Sequence, residues 1–241
     1  MRSTARIRLA GLAGAASGVL ALATASPASA VTATECSGTL TGTYAAVVVP
    51  DGATCTLDGA TVKGNVTLGV GATLMADGAT VRLNVKGVDA KTVQLIDTAV
   101  WGQIHLRRTT GPIIIGTAGC KVDPIADGNI NLQNNFGPIA ICMMTVKNNI
   151  ILHNNHKTIG VFGNTVGNNI QVVGNNNKAI RLRVNTVGGN LLMKGNLVSV
   201  AFQVKDNSMG GSAQCTGNDL APTGSGNTAG GSLSGQCAGL G

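Results

Sequence analysis

One short segment recurs along this chain roughly every twenty residues, and that recurrence limits the accessible folds more than composition does. VKGNVTL (Val62–Leu68), VRLNVKG (Val81–Gly87), VWGQIHL (Val100–Leu106), VKNNIIL (Val146–Leu152), VGNNIQV (Val166–Val172) and VGGNLLM (Val187–Met193) share one form: a valine, three mostly polar or small residues, then an aliphatic. DGNINL (Asp127–Leu132) is a seventh copy. The second aliphatic falls at Val66, Val85, Ile104, Ile130, Ile150, Ile170 and Leu191, in steps of 19, 19, 26, 20, 20 and 21 residues. A fixed period in this range marks a repeat architecture.

Within each repeat, short stretches alternate apolar and polar residues, which is the pattern of strands with one buried face. Aliphatic pairs recur at Ile139/Ile141, Ile159/Val161, Ile180/Leu182 and Val198/Val200. Glycine and asparagine separate the stretches, and both tolerate left-handed backbone geometry. Three short strands per period wind most economically into a solenoid, each strand pairing in parallel with its equivalent one rung away. Unequal aliphatic spacing (Ile130, Ile139, Val146, Ile150) and a rung length of 19 to 26 residues disfavour a left-handed hexapeptide helix. The expected fold is therefore all-β: a single-stranded right-handed parallel β-helix of about eight rungs. Polar corners recur at Asn134-Asn135, Asn154-Asn155 and Asn175-Asn176, and asparagines at this 134/154/175 corner are expected to hydrogen-bond from rung to rung as a ladder.

Composition agrees. Of 241 residues, 11% are charged and 2% aromatic, which excludes a Glu/Lys-rich helical protein and a large aromatic core. A hydrophobic share of 44% argues against disorder. Asparagine occurs 22 times, 17 of them between Asn129 and Asn196, which concentrates the corner chemistry in one half of the repeat.

The first thirty residues read as a secretory signal peptide: Arg2, Arg6 and Arg8, an apolar run, then Ala28-Ser29-Ala30 as an A-x-A cleavage site. Residues 31–241 form one β-helix domain, with an N-terminal cap over 31–50, rungs over 51–205 and a Gly/Ser/Asn-rich C-terminal cap over 206–241. Removing three arginines lowers the formal charge from +7 to +4, too mild for a nucleic-acid footprint. No later run is long and apolar enough to span a bilayer. Six cysteines in an exported chain favour disulfides, and the local pairs are Cys36–Cys55, Cys120–Cys142 and Cys215–Cys237, of which the first and last would staple the caps.

The opening CSGTLTGTYAAVVVPDGATCTLDGATVKGNVTL (Cys36–Leu68) and the closing QCTGNDLAPTGSGNTAGGSLSGQC (Gln214–Cys237) resemble uncharacterised secreted bacterial proteins of right-handed β-helix type. That resemblance implies a pectin-lyase-like solenoid and carries no activity with it. The glycine-rich rungs also resemble bactofilins, cytoskeletal β-helices that polymerise end to end.

Candidate chemistry lies mainly on one stripe. Lys63, Arg82 and Trp101 each follow the first valine of successive copies, and His105, Arg107 and Arg108 are near in sequence. A tryptophan beside arginines suits a sugar ring or an anionic polysaccharide. Asp58 and Asp77 stand one rung apart, with Asp97 one residue out of phase; aspartate before glycine is also ordinary turn chemistry. Lys178, Arg181 and Arg183 read as a solvated outer face. His153 and His156 are too few for a metal site. No G-x-S-x-G, H-E-x-x-H or phosphate loop is present, so neither a metal nor a cofactor is expected.

These features favour a secreted, extracellular, non-catalytic β-helix that binds anionic or neutral polysaccharide or plays a structural part at the cell envelope. A polysaccharide lyase built around Asp58, Asp77, Lys63 and Arg82 is one alternative, and a self-assembling envelope subunit is another. Hydrolysis is disfavoured because the mature chain has one glutamate, Glu35. Ice binding ranks last, since no threonine array is evident through the rungs.

Overall fold

The computed structural model describes residues 32–117 and 124–241. Among these residues every regular element is a β-strand, and the strands sort into three parallel sheets, here faces A, B and C. The chain visits the faces in the order A, B, C once per turn. Face A holds eleven strands, face B nine and face C ten, which makes about ten turns. The count exceeds the expected eight because turns form at both ends without the aliphatic signature. The strands Thr34–Glu35, Thr39–Leu40 and Thr43–Tyr44 open the solenoid, and Thr228–Ala229 and Leu233–Gly235 close it. Cys120 and its neighbours, residues 118–123 within the long 26-residue step from Ile104 to Ile130, lie outside the described residues.

Strand pairing follows from the period. On face A, Val66, Val85, Ile104, Ile130, Ile150, Ile170 and Leu191 are Cα partners in succession and all are buried. These are the seven aliphatics that define the repeat. Face B stacks Leu74, Val93, Ile113, Ile139, Ile159, Ile180 and Phe202 in the same way. On face C the strands are two residues long, and each contributes one inward side chain, such as Val62, Val81 and Val100. Near-continuous burial of branched aliphatics in register supplies the main stabilisation, through apolar area removed from water.

Three bends per turn would strand backbone donors and acceptors, and the corner residues resolve this. Where face A turns into face B, one residue takes the left-handed conformation: Asp89, Arg108, Asn134, Asn154, then Gly174, Gly195 and Gly217. The next residue points inward. In the early rungs it is Ala53 or Ala72, whose N–H bonds back to Pro50 or Gly69 within the same turn. In the later rungs it is Asn135, Asn155, Asn175, Asn196 and Asn218, all buried. Each of the first four donates from its backbone N–H and its side-chain Nδ2 to the Oδ1 of the next, and Gln236 closes the series. The ladder therefore lies at the expected corner and within it runs through Asn135, Asn155 and Asn175. Asn134 and Asn154 occupy the left-handed position that Gly174 takes one rung later.

Two further ladders hold the other corners. Asn164, Asn185, Asn207 and Asn227 bond in series between faces B and C. Between faces C and A, Asn129, Asn149, Asn169 and Asn190 do the same, but each of the last three donates towards the preceding rung. This third ladder is partly exposed, and its direction is opposite to that of the other two.

Cys36–Cys55 and Cys215–Cys237 are disulfides near the two ends, separated by 19 and 22 residues. Cys142 is disulfide-bonded too, and the expected partner Cys120 lies outside the described residues.

Candidate functional site

Each inward valine of face C is followed by a residue that must leave the core. Lys63, Arg82 and Trp101 hold that place on consecutive rungs, their N–H groups bonded to Tyr44, Val62 and Val81 carbonyls at 2.8 Å. All three side chains are exposed. Arg82 Cζ lies 5.3 Å from the centroid of the Trp101 ring, a cation–π contact between neighbouring rungs. The ring remains 51% exposed. Lys63 borders a depression of about 520 Å³ shared with Asn65 and Leu83. Asp127 and Lys147 continue the same column and form a 2.9 Å ion pair.

The remaining predicted residues do not join this stripe, because Trp101 and His105 flank a corner. His105 points outward from face A beside Lys86, its register partner. Burial lowers the imidazole's pKa first, and the Arg107 and Lys86 charges lower it further, so it favours the neutral form. His105 Nε2 and Arg107 Nε are enclosed without a hydrogen-bond partner. Arg108 begins the next corner. Its Nε and Nη2 donate to the two carboxylate oxygens of Asp89, each at 2.7 Å. That fork holds the Asp89 carboxyl below its ordinary pKa and leaves Arg108 committed to a protein partner. Asp89 stands 19 residues before Arg108, one rung away, so reading the chain at the repeat spacing would have found it.

The other candidates separate cleanly. Asp58 and Asp77 are Cα partners, and the next residue in that row is Ile96, which leaves Asp97 one place out. His153 ends a face A strand, whereas His156 begins a face B strand and stacks on Phe136 with ring centroids 5.1 Å apart. Among the described residues no three His, Cys, Asp or Glu side chains come together in a metal-binding group. Face C also carries an outward threonine row that the repeat reading missed. It runs Thr43, Thr61, Thr80, is interrupted by Ala99 and Ile125, and resumes at Thr145, Thr165, Thr186, Ser208 and Thr228.

The arrangement can therefore present an aromatic face edged by cations along one corner, and two carboxylates of neighbouring rungs, Asp89 and Asp127, are already paired with Arg108 and Lys147. No protein-family model matches the chain, and neither a curated protein nor a solved structure matches it, so the likeness to β-helix proteins rests on architecture alone.

Proposed function

We propose that the chain is a non-catalytic solenoid that works outside the cytoplasmic membrane and binds polysaccharide along the Lys63–Arg82–Trp101 stripe. The observation that carries this is the half-exposed Trp101 ring with Arg82 5.3 Å from its centroid. A ring held in place by a neighbouring cation offers a flat apolar surface for a sugar face, and the guanidinium and Lys63 supply donors for hydroxyl or carboxylate groups. The leader-like first thirty residues and the disulfides favour an oxidising compartment. Among the described residues no helix is long and apolar enough to cross a membrane. A catalytic role draws little support: Asp58 and Asp77 end face B strands and are separated from Lys63 and Arg82 by a corner and a face C strand, and Asp127 and Asp89 are tied to Lys147 and Arg108. End-to-end growth at the C-terminal end is disfavoured, since Gln236 and the Leu240 carbonyl close two of the ladders there.

The test is co-sedimentation of the oxidised protein with insoluble cell-wall and plant polysaccharides. Pelleting with a particular polymer, lost in Trp101→Ala and weakened in Arg82→Ala, is the expected result. Pelleting that is unchanged in Trp101→Ala removes the stripe as the site.

A further inference from the structure

The net positive charge of the mature chain is not spread along it. Residues 129–205 hold seven Lys and Arg and no Asp or Glu; residues 31–128 hold seven bases against eight acids, and residues 206–241 two acids alone. The basic stretch coincides with the rungs in which face B widens. Its strands there, His156–Phe162, Asn176–Arg183 and Leu197–Lys205, run to seven, eight and nine residues, against four in each of the two rungs before them.

The outer surface of face B forms a trough that runs from the two four-residue strands onto the widened ones. Ile114, Ala140, Gly160 and Arg181 are register partners in one outward row, about 4.8 Å apart. Gly160 makes room for the Phe162 ring, which folds back over it: a Cβ there would lie 2.4 Å from Cε2 of Phe162. Pro112, Pro138, Phe162 and Arg181 help to bound a depression of about 390 Å³. The same strands border a second depression, of about 620 Å³, between the Phe136–His156 stack and Lys157 and Lys178. Among the described residues Lys157, Lys178 and Arg181 have no carboxylate partner. That distinguishes them from Arg108, whose fork is already filled.

We infer that face B of these rungs is a second binding surface, separate from the Trp101 stripe, and that its occupant is an acidic polysaccharide lying along the solenoid axis. Sugar rings would lie beside Ala140 and against the Phe162 and Phe136 rings, with their carboxylate or phosphate groups on Arg181, Lys178 and Lys157. Charge complementarity selects an anionic polymer, and the disulfide-forming environment favours a carbohydrate over a nucleic acid. The inference does not depend on the stripe, since the two surfaces share no residue.

The experiment measures binding of the full oxidised chain to soluble alginate, dextran and a single-stranded DNA oligomer at rising salt. Alginate binding that weakens with salt, with little binding of dextran, is expected. Lys178→Gln with Arg181→Gln should weaken alginate binding by about tenfold or more, the loss expected for charge-assisted contacts. Phe136→Ala should weaken it as well, and Lys194→Gln, on the outer side of face A and in neither surface, should leave it near the wild-type value. Wild-type affinity in both the double variant and Phe136→Ala overturns the inference, as does equal binding of dextran. DNA that displaces alginate at equal charge also overturns it, by reducing the surface to non-selective electrostatics.

Discussion

Asn155 passes a hydrogen bond through its side chain: its Nδ2 donates to Asn175 Oδ1 at 3.1 Å, and its Oδ1 accepts from Asn135 Nδ2 at 2.9 Å. Its second amide proton goes to the Leu132 carbonyl at 2.9 Å, and the backbone N–H of Asn135 also reaches its Oδ1. A buried corner is thus satisfied by one residue type repeated in register. Asn155→Ala would orphan several buried groups at once, each worth about 1–3 kcal/mol, for a loss on the order of 4 kcal/mol. Asn84→Ala, in the partly exposed corner between faces C and A, should lose about 1 kcal/mol, because water can replace its bonds to Asn65 and Gln103. Urea unfolding of both variants checks this; equal losses would contradict the ladder account.

The disulfides close loops of 19 and 22 residues. Loop-closure arguments give about 3 kcal/mol for each. Cys215→Ser with Cys237→Ser should release the closing turn before the rungs melt. Limited proteolysis should then cut first within residues 219–241. Cuts appearing first within the central rungs would show that the closing turn does not depend on the staple.

Stability should fall in two acid steps. The His105 pKa is lowered in the folded state, so the unfolded chain protonates first as pH drops below about 6.5, and stability declines until the folded imidazole also protonates. The Asp89 carboxyl is likewise held low, here by the Arg108 hydrogen bonds, and its contribution is present above about pH 3.8 and lost as pH falls through the folded value. His105→Gln should flatten the first step and leave the second. Denaturation midpoints measured against pH in the wild type, His105→Gln and Asp89→Asn separate the two.

Trp101 is the chain's single tryptophan, so its fluorescence reports one corner. Arg82→Ala should shift its emission to longer wavelength, because the guanidinium no longer shields the ring. A polymer bound at the stripe should change that emission, and alginate bound on face B should leave it unmoved. A shared response would mean that the two surfaces act as one.

The repeat made the strands legible. Every aliphatic that set the period lies in one buried column of face A, because a parallel solenoid converts sequence spacing directly into stacking. The ends were harder to read: Thr34–Glu35 and Thr228–Ala229 form strands by pairing with their neighbours, without any apolar alternation of their own. The ladder's corner was legible, but not which asparagine of each pair carries it, because asparagine serves both the left-handed position, as in Asn134, and the inward position, as in Asn135. Recurring Asn-Thr-Val at Asn164 and Asn185 was the available sign of the second ladder. The stripe residues were visible as the position after each valine. What separates them from His105 and Arg108 is the corner geometry, which no spacing along the chain displays.

Because each ladder asparagine bonds its counterpart in the adjoining turn, the molecule has a natural unit of growth. Excising residues 150–169 would join Asn149 to Ile170, the same junction that Asn169 makes now, and all three ladders would close across the gap in step. Excising five residues would break every one of them. A lineage carrying this architecture can lengthen or shorten by duplicating or dropping whole turns, and its length should vary in increments of one repeat.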